Sequence, residues 1–310
     1  MCAVPAAGGP GGYRRFVRVG SLLARGDGFS VAEVYCRQSR CGFDVPEQTS
    51  GHALVFVRRG AFIRRVDGRE VLLDSTVAYL TGPGREQRCA HPVDGGDTCV
   101  VIGLSPGLLA ALAGGEVTAA IPEVPMDAAS ELAVRRINSL ALAGDVDGAL
   151  AERIVAAVAG LITRGRPELA SAGAPRMRGP GAAAAHDRLA RQTREVMLAE
   201  PGLGVIELGR RVGCSPHHLS RVFGQVTGST ISGYRNRIRV SRALDRIAEG
   251  ETSLAALACD LGFADHAHLT RTIRAVTGRT PSVCRALLTG GPPGQLSARR
   301  TSSAWARSGG

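Results

Sequence analysis

Val205-Ile-Glu-Leu-Gly-Arg-Arg-Val-Gly-Cys-Ser-Pro-His-His-Leu-Ser-Arg-Val-Phe-Gly-Gln-Val-Thr-Gly-Ser-Thr230 and Leu254-Ala-Ala-Leu-Ala-Cys-Asp-Leu-Gly-Phe-Ala-Asp-His-Ala-His-Leu-Thr-Arg-Thr-Ile-Arg-Ala-Val-Thr-Gly-Arg-Thr280 are two versions of one pattern. One residue inserted after the internal turn aligns Leu219 with Leu269, Arg221 with Arg271 and Gly228 with Gly278. A repeat of this kind constrains the fold more than any single segment does. Each copy reads as helix, turn, helix. Apolar residues recur at helical spacing, Val205, Leu208 and Val212 in the first copy and Leu254, Leu257 and Leu261 in the second. Gly213 and Gly262 then stand where the chain must leave the first helix. Ser215, with Pro216 behind it, is placed to cap the second helix, and Asp265 takes the same post in the second copy.

In the second helix of copy one, Leu219, Val222, Phe223 and Val226 share an inward face, opposite His217, Ser220, Arg221 and Gly224. Copy two divides likewise, Leu269, Ile273 and Val276 inward against Ala267, Thr270, Arg271 and Arg274 outward. A single pair of this kind is equally an αα-hairpin of a bundle. Two in register, with Arg at one outward position, point elsewhere. Between them residues 231–248 read as one helix, Tyr234, Ile238, Leu244 and Ile247 inward and Arg235, Arg239, Arg242 and Arg246 largely outward. Its length of about 27 Å would set two probes into successive major grooves, roughly 34 Å apart on a duplex.

The double motif, its connecting helix and the Gly278-Arg-Thr-Pro-Ser282 run resemble the DNA-binding domain of AraC/XylS-type transcription regulators over about a hundred residues. The resemblance implies a sequence-specific regulator that binds double-stranded DNA, acts as an activator through RNA polymerase, forms a homodimer and answers to a small-molecule effector. It places His217, His218, Ser220, Arg221 and Gln225, then His266, Ala267, His268, Thr270, Arg271 and Arg274, at or beside the base-contacting positions. Arg221 and Arg271 are the foremost candidates, because a guanidinium pairs bidentately with guanine in the major groove. Two residues depart from the family pattern: Gly204 where a Ser/Thr cap is usual, and Gly209 where Ala is usual. A mid-helix Gly costs about 1 kcal/mol relative to Ala, so copy one is expected to be the weaker.

Charge follows the same division. Residues 1–162 hold 16 Arg against 17 acids, whereas residues 186–288 hold 15 Arg against nine, and Lys is absent throughout. A near-neutral front and a basic back fit a DNA reader joined to a module of another kind. Residues 16–104 alternate short Val/Phe/Ile-rich runs with turn signals such as Asp27-Gly28, Arg59-Gly60 and Asp67-Gly68, the last closing a hairpin with a type I′ turn. The expected fold class is therefore α+β multidomain. A cupin-like β-barrel or jelly roll with two packing helices (128–142 and 148–163) occupies 13–164. A linker covers 165–183, an all-α domain with two helix-turn-helix motifs covers 184–288, and residues 1–12 and 289–310 form disordered ends. The cupin resemblance rests on residues 74–91 and is degenerate.

No cofactor or metal is expected. The His-x-His and Glu set of catalytic cupins is missing, with His52 and His91 the only histidines of the front domain. A cupin-type metal enzyme, or a thiol or metal sensor carrying a DNA-targeting domain, is the alternative; Cys89, His91 and Cys99 would be its ligands and Cys36 and Cys41 its other thiols. Small core residues are the plainer account of these cysteines. Neither a Cys-x-x-Cys pair nor an apolar run of membrane-spanning length occurs, and the N-terminus lacks signal-peptide character, so a cytoplasmic protein with reduced thiols and no membrane partner is expected.

Overall fold

The computed structural model describes residues 18–115, 123–144, 148–165 and 180–289. The expected disordered ends and most of the expected linker lie outside these residues. Among the described residues ten strands make two antiparallel sheets. The larger is ordered β1(Arg18–Gly26)-β2(Phe29–Cys36)-β9(Asp97–Leu104)-β4(His52–Gly60)-β7(Val77–Thr81)-β10(Glu123–Pro125), the smaller β3(Glu47–Gln48)-β8(Glu86–Ala90)-β5(Phe62–Val66)-β6(Arg69–Leu73). Asp67 and Gly68, with φ of 50° and 78°, turn the chain between β5 and β6, both positive as a type I′ turn requires.

Alternation along β4 assigns the two faces of the larger sheet. Val55 and Val57 point between the sheets with Phe62, Leu73, Tyr79, Cys89 and Cys99. Leu54 and Phe56 point the other way, into a second core. Helices α1(Pro106–Ala113), α2(Ala128–Ala143) and α3(Gly148–Gly165) cover that outer face, with Leu109, Val134, Ile137, Leu150, Ile154 and Leu161 buried there. Because β4 is buried on both sides, its sequence reads as an unbroken apolar run rather than an alternating one. The cavity between sheet and helices, lined by Leu54, Leu80, Val124, Val158, Leu161 and Ile162, holds about 10 Å³, no more than one water needs.

The C-terminal half is all helical: α4(Pro180–Ala199), α5(Val205–Val212), α6(Pro216–Thr227), α7(Ile231–Ala248), α8(Leu254–Asp260), α9(His266–Thr277) and α10(Pro281–Thr289). Helix α4 begins at Pro180 rather than 184, since Pro is well suited to a first helical turn, and α10 runs through Thr289. Among the described residues no helix is long and apolar enough to cross a membrane.

The two halves are docked. Helix α2 is buried on both flanks, Val134 and Ile137 against the sheet and Leu132 against Val240, Leu244 and Ile247 of α7. Ala61, between β4 and β5, and Ile63, Leu72 and Ala90 of the smaller sheet join one core with Leu219, Phe223, Tyr234 and Ile238. The arginines of α7 are less outward than expected: Arg235, Arg239, Arg242 and Arg246 are half-buried. They lie against the rest of the C-terminal half, Arg235 on the Leu203 carbonyl, Arg242 on the Leu198 carbonyl, Arg239 over Phe263 and Arg246 on Glu251 and Asp260.

Buried charges seal this junction. Asp245 of α7 takes Arg58 Nη1 at 2.5 Å, Arg59 Nε at 2.6 Å and Arg135 Nη1 at 3.2 Å. Arg135 also donates to Glu131, to Ser241 Oγ and to the carbonyls of Arg58 and Ser241. Arg58 bridges on to Glu33 at 2.9 Å, and Arg237 reaches Glu131 at 2.9 Å. A second clamp lies at Asp74, which accepts from Arg194 Nη2 and Tyr234 Oη, both at 2.6 Å. Burial alone would raise the Asp74 carboxyl, but the Arg194 charge and hydrogen bonds from Thr76, Tyr234 and Arg194 hold it below the usual carboxylate range.

Candidate nucleic-acid interface

The second helices of the two motifs are built alike. Ser215 Oγ accepts from His218 N at 3.3 Å, and Asp265 Oδ1 accepts from His268 N at 2.6 Å. Gly228 and Gly278 end both helices with φ of 67° and 70°, the left-handed conformation that closes a helix without a Cβ clash. Leu219, Val222 and Phe223 of α6 are buried, as are Leu269, Thr272 and Ile273 of α9. Val226 departs from the expected inward face and is 39% exposed. It lies in the last turn, beyond the edge-to-face contact of Phe223 and Tyr234 at 5.7 Å that closes the core.

What these helices leave outside is polar. His217, Ser220, Arg221 and Gln225 are exposed on α6, and His266, Arg271 and Arg274 on α9. Ala267, His268 and Thr270 are half-buried, as is His218. The arginines at the matched position have local partners. Arg221 donates to His218 Nδ1 at 3.2 Å and to Gln225 Oε1 at 3.4 Å. Asp265 is held below the usual carboxylate range first by the His268 amide and then, against an opposing desolvation, by the Arg271 charge.

Among the candidate histidines the structure separates two kinds. His218 stands edge-on to His186 of α4 at 6.0 Å, and His268 stands edge-on to Phe263 at 5.4 Å while its Nδ1 accepts from Ala264 N at 3.4 Å. Both are turned into the scaffold. His217, two residues past its cap Ser215, and His266, directly after its cap Asp265, are the histidines left outward.

One feature escaped the sequence. A concavity of about 520 Å³ opens beside α6, lined by Val205, Ser220, Thr230, Ser232 and Arg235 among others. Arg235, which lines it, belongs with Arg239 and Arg242 to the row the sequence placed on one face of α7; burial first, and then the charges of Arg235 and Arg242, hold Arg239 below the usual guanidinium range. A stripe of like charge this close favours an anion.

The front-domain candidates do not form one site. Cys89 and Cys99 lie between the sheets, where burial pushes the Cys89 thiol up to about 12 and Cys99 upward as well. His91 lies beyond the end of β8 and meets Cys99 only through Asp97, whose two carboxylate oxygens they share.

Residues 208–286 match a family model described as "Helix-turn-helix domain". The arabinose operon regulatory protein of Escherichia coli (strain K12) is 28% identical over 89 residues, 29% of this chain and 30% of the relative. The match thus spans under a third of that relative's length. Among solved structures, ToxT from Vibrio cholerae O395 superposes with a TM-score of 0.34 at 12% identity, covering 86% of this chain and 100% of the other. An AraC-type transcriptional regulator from Chromobacterium violaceum does so at 0.31 and 25% identity, covering 33% and 94%.

Proposed function

We propose, on the premise that the C-terminal half is an AraC-type double helix-turn-helix domain, that this chain is a sequence-specific DNA-binding regulator of transcription. The observation that carries the proposal is the repetition. Two capped helices, fifty residues apart in sequence, present Arg221 and Arg271 at one exposed position, and an 18-residue helix joins the motifs. The role of each group follows from its chemistry. Arg221 and Arg271 pair with base edges, and Ser220, Gln225, Thr270 and Arg274 flank them. His217 and His266 add donors near the helix starts, and Ala267 offers a methyl surface. Arg235 and its neighbours on α7 meet phosphate.

The AraC-type resemblance further suggests activation through RNA polymerase, a homodimer, a cytoplasmic site of action and no catalytic role. For the effector, the packed sheet–helix core speaks against a ligand held there. The docked halves support a switch at the Asp245 and Asp74 clamps, at which a signal favours one arrangement of the DNA-binding half. Arg221→Ala and Arg271→Ala, assayed on a randomised duplex library, should each relax preference at one base position by about 1–3 kcal/mol. Equal loss on all sequences would reduce both residues to phosphate contacts.

A further inference from the structure

Beyond β8 the side chain of His91, 1% exposed, has two thiols and a carboxylate around it. Its Nε2 lies 3.1 Å from Asp97 Oδ2, and Cys41 Sγ lies 3.7 Å from its Nδ1. Cys36 Sγ, a ring nitrogen of His91 and a carboxylate oxygen of Asp97 all fall within 4.8 Å of one another. Three strands and a bridge bring them together: Cys36 faces Asp97 across β2 and β9, and Cys41 pairs with His91 through an isolated bridge. Backbone packing fixes the spacing. A Cβ on Gly96 would lie 1.8 Å from Cys36 O, and one on Gly60 would lie 2.0 Å from Gly96 O, so neither position can admit a larger residue without moving these strands.

We propose that Cys36, His91 and Asp97 form a binding site for a thiophilic divalent cation of the zinc type. Sulfur, imidazole and carboxylate are the donors zinc takes, at about 2.0–2.3 Å each. Ligands at those lengths in a tetrahedron stand roughly 3.3–3.5 Å apart, by the same bond lengths. The His91–Asp97 separation already falls short of that, and the thiol, within 4.8 Å of both, needs to close by at most about 1.5 Å. Cys41 sits at the ring nitrogen that His91 does not turn to Asp97, where it orients the imidazole. Cys99 Sγ, 3.4 Å from Asp97 Oδ1, steadies the carboxylate in the same way. Three protein ligands leave a fourth position for water or an exogenous donor. The site also borders the junction of the two halves. Asp97 pairs with Gly60 and Thr98 with Arg59, and Arg59 is bound to Asp245, so an ion here would lie one register step from the clamp. The site stands on the front domain's own geometry and does not depend on DNA binding.

The test uses the full-length chain, stripped with a chelator under reducing conditions and titrated with Co²⁺ and then Zn²⁺. One equivalent of Co²⁺ should give a sulfur-to-cobalt charge-transfer band that Zn²⁺ abolishes. Cys36→Ser should remove the band, and Asp97→Asn should weaken Zn²⁺ binding more than Cys41→Ser, for which a roughly 10–100-fold loss is expected. Cys259→Ser, exposed in the other half, should change nothing. Circular dichroism establishes folding, and the near-isosteric Asp97→Asn carries the test should Cys36→Ser not fold. Absence of the band, a band indifferent to Cys36→Ser and Asp97→Asn, or a stripped protein that ignores Zn²⁺ but forms a Cys36–Cys41 disulfide in air would each overturn the proposal.

Discussion

Replacing Asp245 by Asn tests whether the charge cluster at the junction holds the two halves together. Asp245 is 4% exposed at its side chain, and so are its partners Arg135 (1%) and Arg58 (9%) nearly closed off, while Arg59 is half in solvent. Removing the charge leaves two buried guanidiniums short of an anion, a defect that typically costs about 3–5 kcal/mol. Asn retains an acceptor, and Glu33 and Glu131 still face Arg58 and Arg135, so the lower end, about 3 kcal/mol, applies. At about 1.4 kcal/mol per tenfold change, protecting amides of α2 and α7 should exchange roughly 150-fold faster. Hydrogen–deuterium exchange with mass spectrometry reads both helices in one experiment. Glu249→Gln is the control, since its partner Arg59 is half-exposed and such pairs contribute about 0–1 kcal/mol. Unchanged protection of α2 and α7 in Asp245→Asn, or equal effects of the two substitutions, would refute the reasoning.

Three further outcomes follow from single residues. Gly209→Ala should destabilise by about 1 kcal/mol net although it improves helix propensity by a similar amount, because its Cβ would lie 2.7 Å from Cys214 O and overpacking costs about 1–3 kcal/mol; a rise in melting temperature would contradict the close approach. Copy one should exchange its amides faster than copy two, since Gly204 offers no side-chain cap where Ser253 Oγ accepts from Ala256 N at 3.1 Å, and Gly204→Ser should recover a few tenths of a kcal/mol. Asp74 has its carboxyl held down in the folded chain, so its contribution is present above the unfolded value of about 3.9 and is lost as pH falls through the lower folded value. Urea midpoints of wild type and Asp74→Asn should therefore differ at pH 6 and converge below about pH 4; a constant gap across that range would contradict the sign.

The C-terminal half was legible nearly to the residue because its signals are local. Ser215, Pro216 and Gly228 bound α6, and Thr230 caps α7, within four residues of the backbone groups they satisfy. The strands were legible as a class, and the Asp67-Gly68 turn as a geometry, for the same reason. What lay hidden was non-local. Asp245 meets Arg59 across 186 residues of sequence, and nothing near either residue marks it as a junction. The arginines of α7 read as solvent-facing on helical spacing alone, since their partners, such as the Leu203 and Leu198 carbonyls and the Phe263 ring, lie on other elements and leave no trace in the pattern of the helix. The cation site shows the same limit. Cys89-Ala90-His91 suggests two ligands on one strand face, but β8 ends at Ala90, and His91 turns to Cys36, Cys41 and Asp97 from three other segments.

Hydroxyl-radical footprinting on the highest-affinity duplex, repeated with Arg221→Ala and Arg271→Ala, addresses the paired-probe claim most directly. Two protected patches should lie about one helical turn, 10–10.5 base pairs, apart on one face of the DNA, and each substitution should erase base preference in one patch alone. A single patch, patches on opposite faces, or loss of both by either substitution would contradict it.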